Sequence, residues 1–371
     1  MSICSYLKKN ADLTAACVLA LVTTCFVPWN MESMVHSVNG SLLALLFCLM
    51  AIVAGLRKGG LFTSGLRFFF RGRTSTRQMG RFFIFACFFT SMVITNDVSL
   101  IIFVPLAISF FKDAHALREV IPVLTWQTIA ANLGSMLTPI GNPQNLFIYA
   151  YYELPLSAFL TITGPVVLLS GVFLYGATFT IHDHPMALPA MNTKSSSRQK
   201  LVLLLLAFSL CILNVLRVLP ISYLLLVIVP FLFLLDRSLF KKVDYKLLLL
   251  FFFLFLLVGN ITRIPGLQEK ATALLAGHEF WISLLLSQCI SNVPATMMLS
   301  PYTDNYTALL LGVNIGGLGT LIASMASMIS FKAYLSMRFH WAKAYVMYFT
   351  AANLLLLTVL VLFQFAVSGQ S

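Results

Sequence analysis

The sequence predicts an all-α, polytopic membrane protein: an inverted-repeat bundle with two re-entrant helical hairpins and two broken transmembrane helices. Three observations carry this expectation. Of the 371 residues, 59% are hydrophobic and only 10% charged, too few charges to wrap so apolar a chain in water. Apolar runs of spanning length recur from end to end. Two sets of those runs are interrupted by the same polar residue types in the same order.

The uninterrupted runs lie at about residues 11–30, 41–56, 155–179, 200–216, 219–235, 246–259 and 345–367, and each is an expected span. The shorter ones would sit tightly in the bilayer. Lys8 and Lys9 before the first run imitate a signal peptide, but no small-x-small cleavage site follows, so that run is expected as a retained helix. Between 57 and 81, Arg57, Lys58, Arg67, Arg71, Arg73, Arg77 and Arg81 interleave with Phe68, Phe69 and Phe70, the composition of an amphipathic helix on the cytoplasmic surface. Residues 181–199 form a polar linker. Its His182 and His184 lack a third ligand, so a solvated loop is expected there rather than a metal site. The seven cysteines form no CxxC or Cys/His cluster and read as apolar filler.

The net charge of +12 is no nucleic-acid signal, because the basic residues sit in short loops between apolar runs. Suppose the N-terminus is cytoplasmic, residues 81–111 enter and leave on the cytoplasmic side, and residues 280–300 do the same from outside. All of the 24 Lys and Arg residues except Arg217, Arg263 and Lys270 then fall inside, as the positive-inside rule requires. The expected organisation is one membrane domain in the inner membrane, with a first repeat at 40–180, the linker, and a second repeat at 200–367.

The interruptions define the repeat. Residues 81–111 hold Thr95-Asn96-Asp97, and residues 280–300 hold Ser291-Asn292-Val293-Pro294. Residues 119–151 are broken by Thr138-Pro139-Ile140-Gly141-Asn142-Pro143-Gln144-Asn145, and a glycine-rich break falls around Gly316–Thr320. Residues 132–140 and 314–322 share Asn, Gly, Thr and Ile at the first, third, seventh and ninth places. Close helix packing accounts for some of the small residues. It does not account for Asn and Thr at matched places, nor for Pro and Asp, in apolar context. Inverted repeats with broken helices are a construction of secondary transporters.

These residue types suit a binding site. Non-helical backbone at membrane depth is tolerated where it is buried in protein or lines a cavity. Freed carbonyls can coordinate a small cation, helix N-termini attract anions, and one Asn can face both. Thr138 and Thr320 add hydroxyls. Of the twelve acidic residues, Asp97 alone sits deep in an apolar run, which makes it a functional candidate as a proton acceptor or Na⁺ ligand. The competing reading is a protonated Asp that caps the second hairpin helix. Asp304 and Glu153 are expected at membrane interfaces.

On Thr95-Asn96-Asp97 with Pro105, Gly134-x3-Thr138-Pro-Ile-Gly-Asn-Pro-Gln-Asn145, Ser291-Asn292-Val293-Pro294 and Gly316-x3-Thr320-x-Ile-Ala323-Ser324, the chain resembles the ion-transporter superfamily. That group includes divalent-anion:sodium symporters, citrate permeases, arsenite permeases and certain sodium/proton antiporters. The resemblance covers about residues 40 to 365 and is nearest to small bacterial anion-permease-like inner-membrane proteins. It implies that both tips and both breaks meet at the substrate, with Asn96 and Asn292 touching ion and substrate and with the backbone of Gly141 and Ala323 offered to Na⁺. Thr95, Asp97, Thr138, Asn142 and Asn145 would complete the first half of the site, and Ser291, Thr296, Thr320 and Ser324 the second. It further implies elevator-like alternating access and a homodimer. Asp97 and Val293 stand where carboxylate-transporting members carry a hydroxyl residue, which points toward the arsenite-permease and antiporter branches. The second break also lacks the Pro-Gln-Asn tail of the first, which puts one Na⁺ site in doubt.

The expected function is secondary active transport of a small anion or oxyanion coupled to Na⁺ or H⁺. The alternatives are arsenite efflux and cation/proton antiport. No zinc-protease or serine-base motif and no ATP-binding loop is visible, so neither an intramembrane enzyme nor a primary pump is expected. Broken helices favour a carrier over a passive channel.

Overall fold

The computed structural model describes residues 11–27, 37–59, 73–187, 198–264, 266–337 and 341–368. The protein is all-α and polytopic. Its helices are α1 (Ala11–Thr24), α2 (Gly40–Lys58), α3 (Thr76–Ile94), α4 (Asn96–Asp113), α5 (Val120–Gly134), α6 (Pro143–Tyr151), α7 (Leu156–Ala177) and α8 (Arg198–Val215). The chain continues through α9 (Ile221–Leu235), α10 (Tyr245–Ile261), α11 (Leu267–Leu275), α12 (Glu279–Ile290), α13 (Asn292–Leu299), α14 (Tyr306–Ile315), α15 (Met325–Ser336) and α16 (Ala342–Ser368). Among the described residues, five segments are long and apolar enough to cross a membrane: Gly40–Lys58, Leu117–Leu137, Leu156–Thr180, Arg198–Val215 and Ala342–Ala366. Shorter apolar helices cover Leu13–Thr24, Ile221–Leu235, Tyr245–Ile261 and Tyr306–Ile315.

The ends of these helices follow local chemistry. Asn39, Ser75 and Asp244 cap α2, α3 and α10 by accepting from the backbone N–H of Leu42, Gln78 and Leu247, each satisfying a donor that the first turn leaves unpaired. Arg57 and Lys58 close α2, where cations favour the helix C-terminus.

The chain forms two compact units. One comprises residues 1–59, 196–279 and 294–306; the other comprises 60–195, 280–293 and 307–371. Both draw on each half of the sequence, so the compact units are not the sequence halves. In the first unit α10 packs on α1, and α8 and α9 pack on α2. Asn260 in α10 donates to the Ala20 carbonyl (3.2 Å), Thr23 (3.2 Å) and Thr24 (2.9 Å) of α1.

In the second unit α5 is the central element, with α3, α4, α7, α15 and α16 around it. Its most apolar stretch is 83% buried, against 28% for those of α7 and α16. A helix apolar on every side sits inside a bundle, whereas those with wide exposed apolar faces meet lipid.

One feature departs from the sequence expectation. A pair of short strands, β1 (Arg73–Ser75) and β2 (Pro185–Ala187), runs antiparallel. The front of the expected linker is therefore tied down along its backbone, while His182, Asp183, His184 and Pro185 stay exposed to solvent as expected. The Thr76 hydroxyl donates to the His182 carbonyl and accepts from the His184 N–H (2.9 Å), Arg77 donates to the Ile181 carbonyl (3.1 Å), and Glu119 accepts from the His182 N–H (3.1 Å). Backbone groups that find such partners have no need of water. Arg77 also pairs with Asp183 (3.6 Å). The hydrogen bond from Ser75, more than Arg77 itself, lowers the Asp183 carboxyl. The expected amphipathic helix at 57–81 lies largely outside the described residues, as does the rest of the linker.

Candidate functional site

The two turns share an unusual backbone. Thr95 joins α3 to α4 with φ 88°, and Ser291 joins α12 to α13 with φ 75°. A β-branched residue at positive φ is rare and costs about 1–3 kcal/mol, so the surroundings must impose it. The Thr95 hydroxyl accepts from the Val98 N–H (3.5 Å). Thr95 is thus the cap of α4, and Asp97 is not the cap; it stands half-buried in the first turn. Asn96 and Asn292, the first residues of the following helices, are buried. The Asn96 side-chain oxygen accepts from the Asp97 N–H (2.8 Å).

The first break follows from its prolines. Thr138 and Asn142, which precede Pro139 and Pro143, are both extended, at φ −124°, ψ 155° and φ −145°, ψ 147°, as a residue before proline must be. Pro143 opens α6, where its missing N–H costs nothing. Ser135–Leu137 and Pro139–Gly141 form single 3₁₀ turns. Side chains then serve the unwound backbone. Thr138 donates to the Met92 carbonyl, Asn142 donates to the Ser135 hydroxyl, and Asn145 donates to the carbonyls of Ser135 (3.1 Å) and Thr138 (3.5 Å).

The second break has no proline. Gly316, Gly317 and Gly319 open it, and Gly319 adopts φ 108°. Gln288 of α12 holds it. Its amide donates to the carbonyls of Gly316 and Leu318 (2.6 Å each), and its side-chain oxygen accepts from the Thr320 N–H (3.0 Å).

The two breaks are built on the same contacts. Thr138 bonds to the Met92 carbonyl and Thr320 to the Gln288 carbonyl (3.4 Å). Met92 and Gln288 each stand three residues before the turn residue, Thr95 or Ser291. Gly134 lies against Phe88, and Gly316 against Leu284, each seven residues before the turn. The Gly141 N–H donates to the Thr138 carbonyl (3.2 Å) and the Ala323 N–H to the Thr320 carbonyl (3.3 Å).

Asparagines tie these segments together. Asn132, at the end of α5, accepts from Asn96 (3.0 Å) and Ser324 (3.0 Å) and donates to the Gly317 carbonyl (3.4 Å). Asn314 donates to Asn145 (2.7 Å). The Asn292 N–H donates to the Ala323 carbonyl (3.2 Å), and its side-chain amide lies beside Gly317. The side-chain oxygens of Asn142 and Asn314 are buried without a partner, which is costly and uncommon. They are oxygens available to a small ligand.

The structure therefore brings Thr95, Asn96, Asp97, Thr138, Gly141, Asn142, Asn145, Ser291, Asn292, Thr320, Ala323 and Ser324 into one compact unit. Thr296, buried in α13, belongs to the other unit. Ala323 already receives one hydrogen bond, and a carbonyl keeps a second lone pair for a cation. Asn145 acts as a brace of the first break. Asn132, Asn314 and Gln288 join this network without having been expected as site residues from the sequence. The signal for the first two was present, since both open the matched nine-residue stretches. Gln288 follows Ser287 near the end of the largely apolar α12. Among the described residues, no three His, Cys, Asp or Glu side chains cluster to hold a metal.

The profile of a family described as citrate transporter matches residues 6–308. The chain belongs to the citrate transporter family. It is 33% identical over 254 residues to an uncharacterized transporter of Methanocaldococcus jannaschii, covering 67% of this chain and 69% of that one. It is 30% identical over 325 residues to the inner membrane protein YbiR of Escherichia coli, covering 85% and 86%. As a member of the citrate transporter family it is a multi-pass membrane transporter, consistent with the ion-transporter superfamily.

Proposed function

We propose that this protein is a secondary active transporter that moves a small anion or oxyanion across the cytoplasmic membrane, coupled to Na⁺ or H⁺. It works by alternating access of two oppositely oriented halves. One observation carries the proposal: Asn132 is bonded at once to the first hairpin turn through Asn96 and to the second break through Ser324 and Gly317. Unwound backbone from both halves thus meets at one amide-lined place, in a unit whose two breaks share their contacts. That is the construction of a carrier site. Asn96 and Asn292 offer donors to an anion and oxygens to a cation, and Gly141 and Ala323 offer backbone oxygens. Asp97 binds the coupling ion. The helices lie in the inner membrane with a cytoplasmic N-terminus, and the protein functions as a homodimer.

The acid in the first turn of α4 favours a second reading: arsenite efflux, or Na⁺/H⁺ antiport. A carboxylate opposes a dianion unless it is protonated or cation-bound. Purified protein in proteoliposomes, given a panel of carboxylates and oxyanions under Na⁺ or pH gradients, tests both readings. Gradient-driven uptake of one anion supports the first. Cation/proton exchange or arsenite movement without such uptake supports the second, and no gradient-dependent flux of any kind refutes both.

A further inference from the structure

The two breaks match in their backbone contacts and differ in one side chain. Gln288 donates two 2.6 Å hydrogen bonds from a single amide nitrogen to the carbonyls of Gly316 and Leu318. The carbonyls come from alternate residues of an unwound segment, and both accept from the positively polarised N–H hydrogens of one amide group. That is how unwound backbone receives a small cation. At the matched position of the first half stands Met92, which has no donor to offer. Gly319 confirms that the amide is built in. At φ 108°, a Cβ there would lie 2.5 Å from the Gln288 side-chain oxygen, so the loop is shaped around this side chain. The oxygen in turn accepts from the Thr320 N–H (3.0 Å), which locks the amide's orientation.

We infer that the Gln288 amide is a permanent stand-in for a coupling cation in the second break, so that cation dependence resides in the first break alone. The inference rests on reading the breaks as ion-binding backbone. The energetic logic is simple. Two carbonyl dipoles converging on one point repel each other and need positive charge between them. A cation supplies it only when bound, whereas the amide supplies it always. The second half can then close without an ion, and transport depends on cation concentration without cooperativity. Gln288 is a positioning residue, acting through the carbonyls it holds.

The test uses Gln288→Glu and Gln288→Ala in the full-length protein purified in detergent. Glutamate keeps the size and removes the donors, placing a carboxylate against the carbonyl pair. Alanine removes the stand-in. Melting temperatures are compared in NaCl and in choline chloride at equal ionic strength. A ligand that binds only the folded state raises its melting point. The expected result is a Na⁺-dependent rise several degrees larger in both variants than in the parent protein, largest for glutamate. Should Gln288→Glu fail to fold, Gln288→Ala alone decides the matter. If the variants melt lower by the same amount in both salts, Gln288 is merely a brace and the inference falls. Flux in proteoliposomes keeps this outcome separate from the transport reading. Cation-driven flux by the parent protein, with no added Na⁺ effect in the variants, sinks only the stand-in. Absence of flux from every protein sinks the transport reading and leaves the melting comparison to decide the stand-in.

Discussion

Gly134 and Gly316 offer the sharpest test that the two breaks are one design used twice. A Cβ on Gly134 would fall inside contact distance of the Phe88 carbonyl oxygen, 2.8 Å from the Phe88 carbonyl carbon and 2.6 Å from the Ser91 hydroxyl. On Gly316 it would lie 2.9 Å from both the Cα and the oxygen of Leu284 and 2.7 Å from the Gly312 oxygen. Ordinary contact begins at 3.4 Å. The obstacles include backbone of α3 at Gly134, and backbone of α12 and of the preceding turn at Gly316, none of which can rotate away as a side chain can. Overpacking of this kind costs about 1–3 kcal/mol, and Gly134, with the closer approach, belongs at the top of that range. Exchange of glycine for alanine in a helix returns about 1 kcal/mol. The net loss expected for Gly134→Ala is therefore about 2 kcal/mol, with a smaller one for Gly316→Ala. Gly164 in α7 is the control, because a Cβ there meets nothing within 4 Å, so Gly164→Ala should be neutral or stabilising. Thermal unfolding of purified protein, followed by a thiol-independent probe, ranks the three. If Gly134→Ala melts with Gly164→Ala, the close approach of α5 to α3 is wrong, and with it the matched geometry of the two breaks.

Asn132→Ala should lower the melting temperature and abolish flux, since it leaves buried partners on Asn96 and Ser324 at about 1–3 kcal/mol each; undiminished flux would remove Asn132 from the site. Asp97→Asn should flatten the pH dependence of transport while the protein still folds, as measured by initial uptake rates across a pH series. Lys58 and Asp236 pair at 2.6 Å, and the hydrogen bond from Lys58, with a second from Ser238, lowers the Asp236 carboxyl to about 2. A depressed carboxyl stabilises the fold above its unfolded value of about 3.9 and loses that contribution as pH falls toward the folded value. For so exposed a pair the contribution is at most about 1 kcal/mol, so Lys58→Met should remove a small acid-side slope in stability and change little at neutral pH.

The sequence made the first break legible because proline acts locally: Thr138 and Asn142 are extended for reasons that need no knowledge of the fold. The spans were legible from apolar length, and the asparagines at the turns from their cost in apolar surroundings. Thr95 was not legible as a left-handed residue, because local preference argues against it and only the packed hairpin imposes it. Gln288 was missed for a related reason. Its three partners lie about thirty residues further on, beyond the reach of any pattern in α12. Asn132 and Asn314 were visible as repeat letters, but their roles depend on segments from the opposite half of the chain. The strap of β1 and β2 escaped notice because it rests on side chains of Thr76, Arg77 and Glu119 capturing backbone that reads as polar loop.

The amide ties have a consequence for motion. Asn145 to Asn314 and Asn132 to Gly317 join stretches 169 and 185 residues apart, and all four residues are buried. Sliding one break past the other would sever both ties at once, each worth about 0.5–1.5 kcal/mol. On the transport reading proposed above, the two breaks would then travel together as a single load.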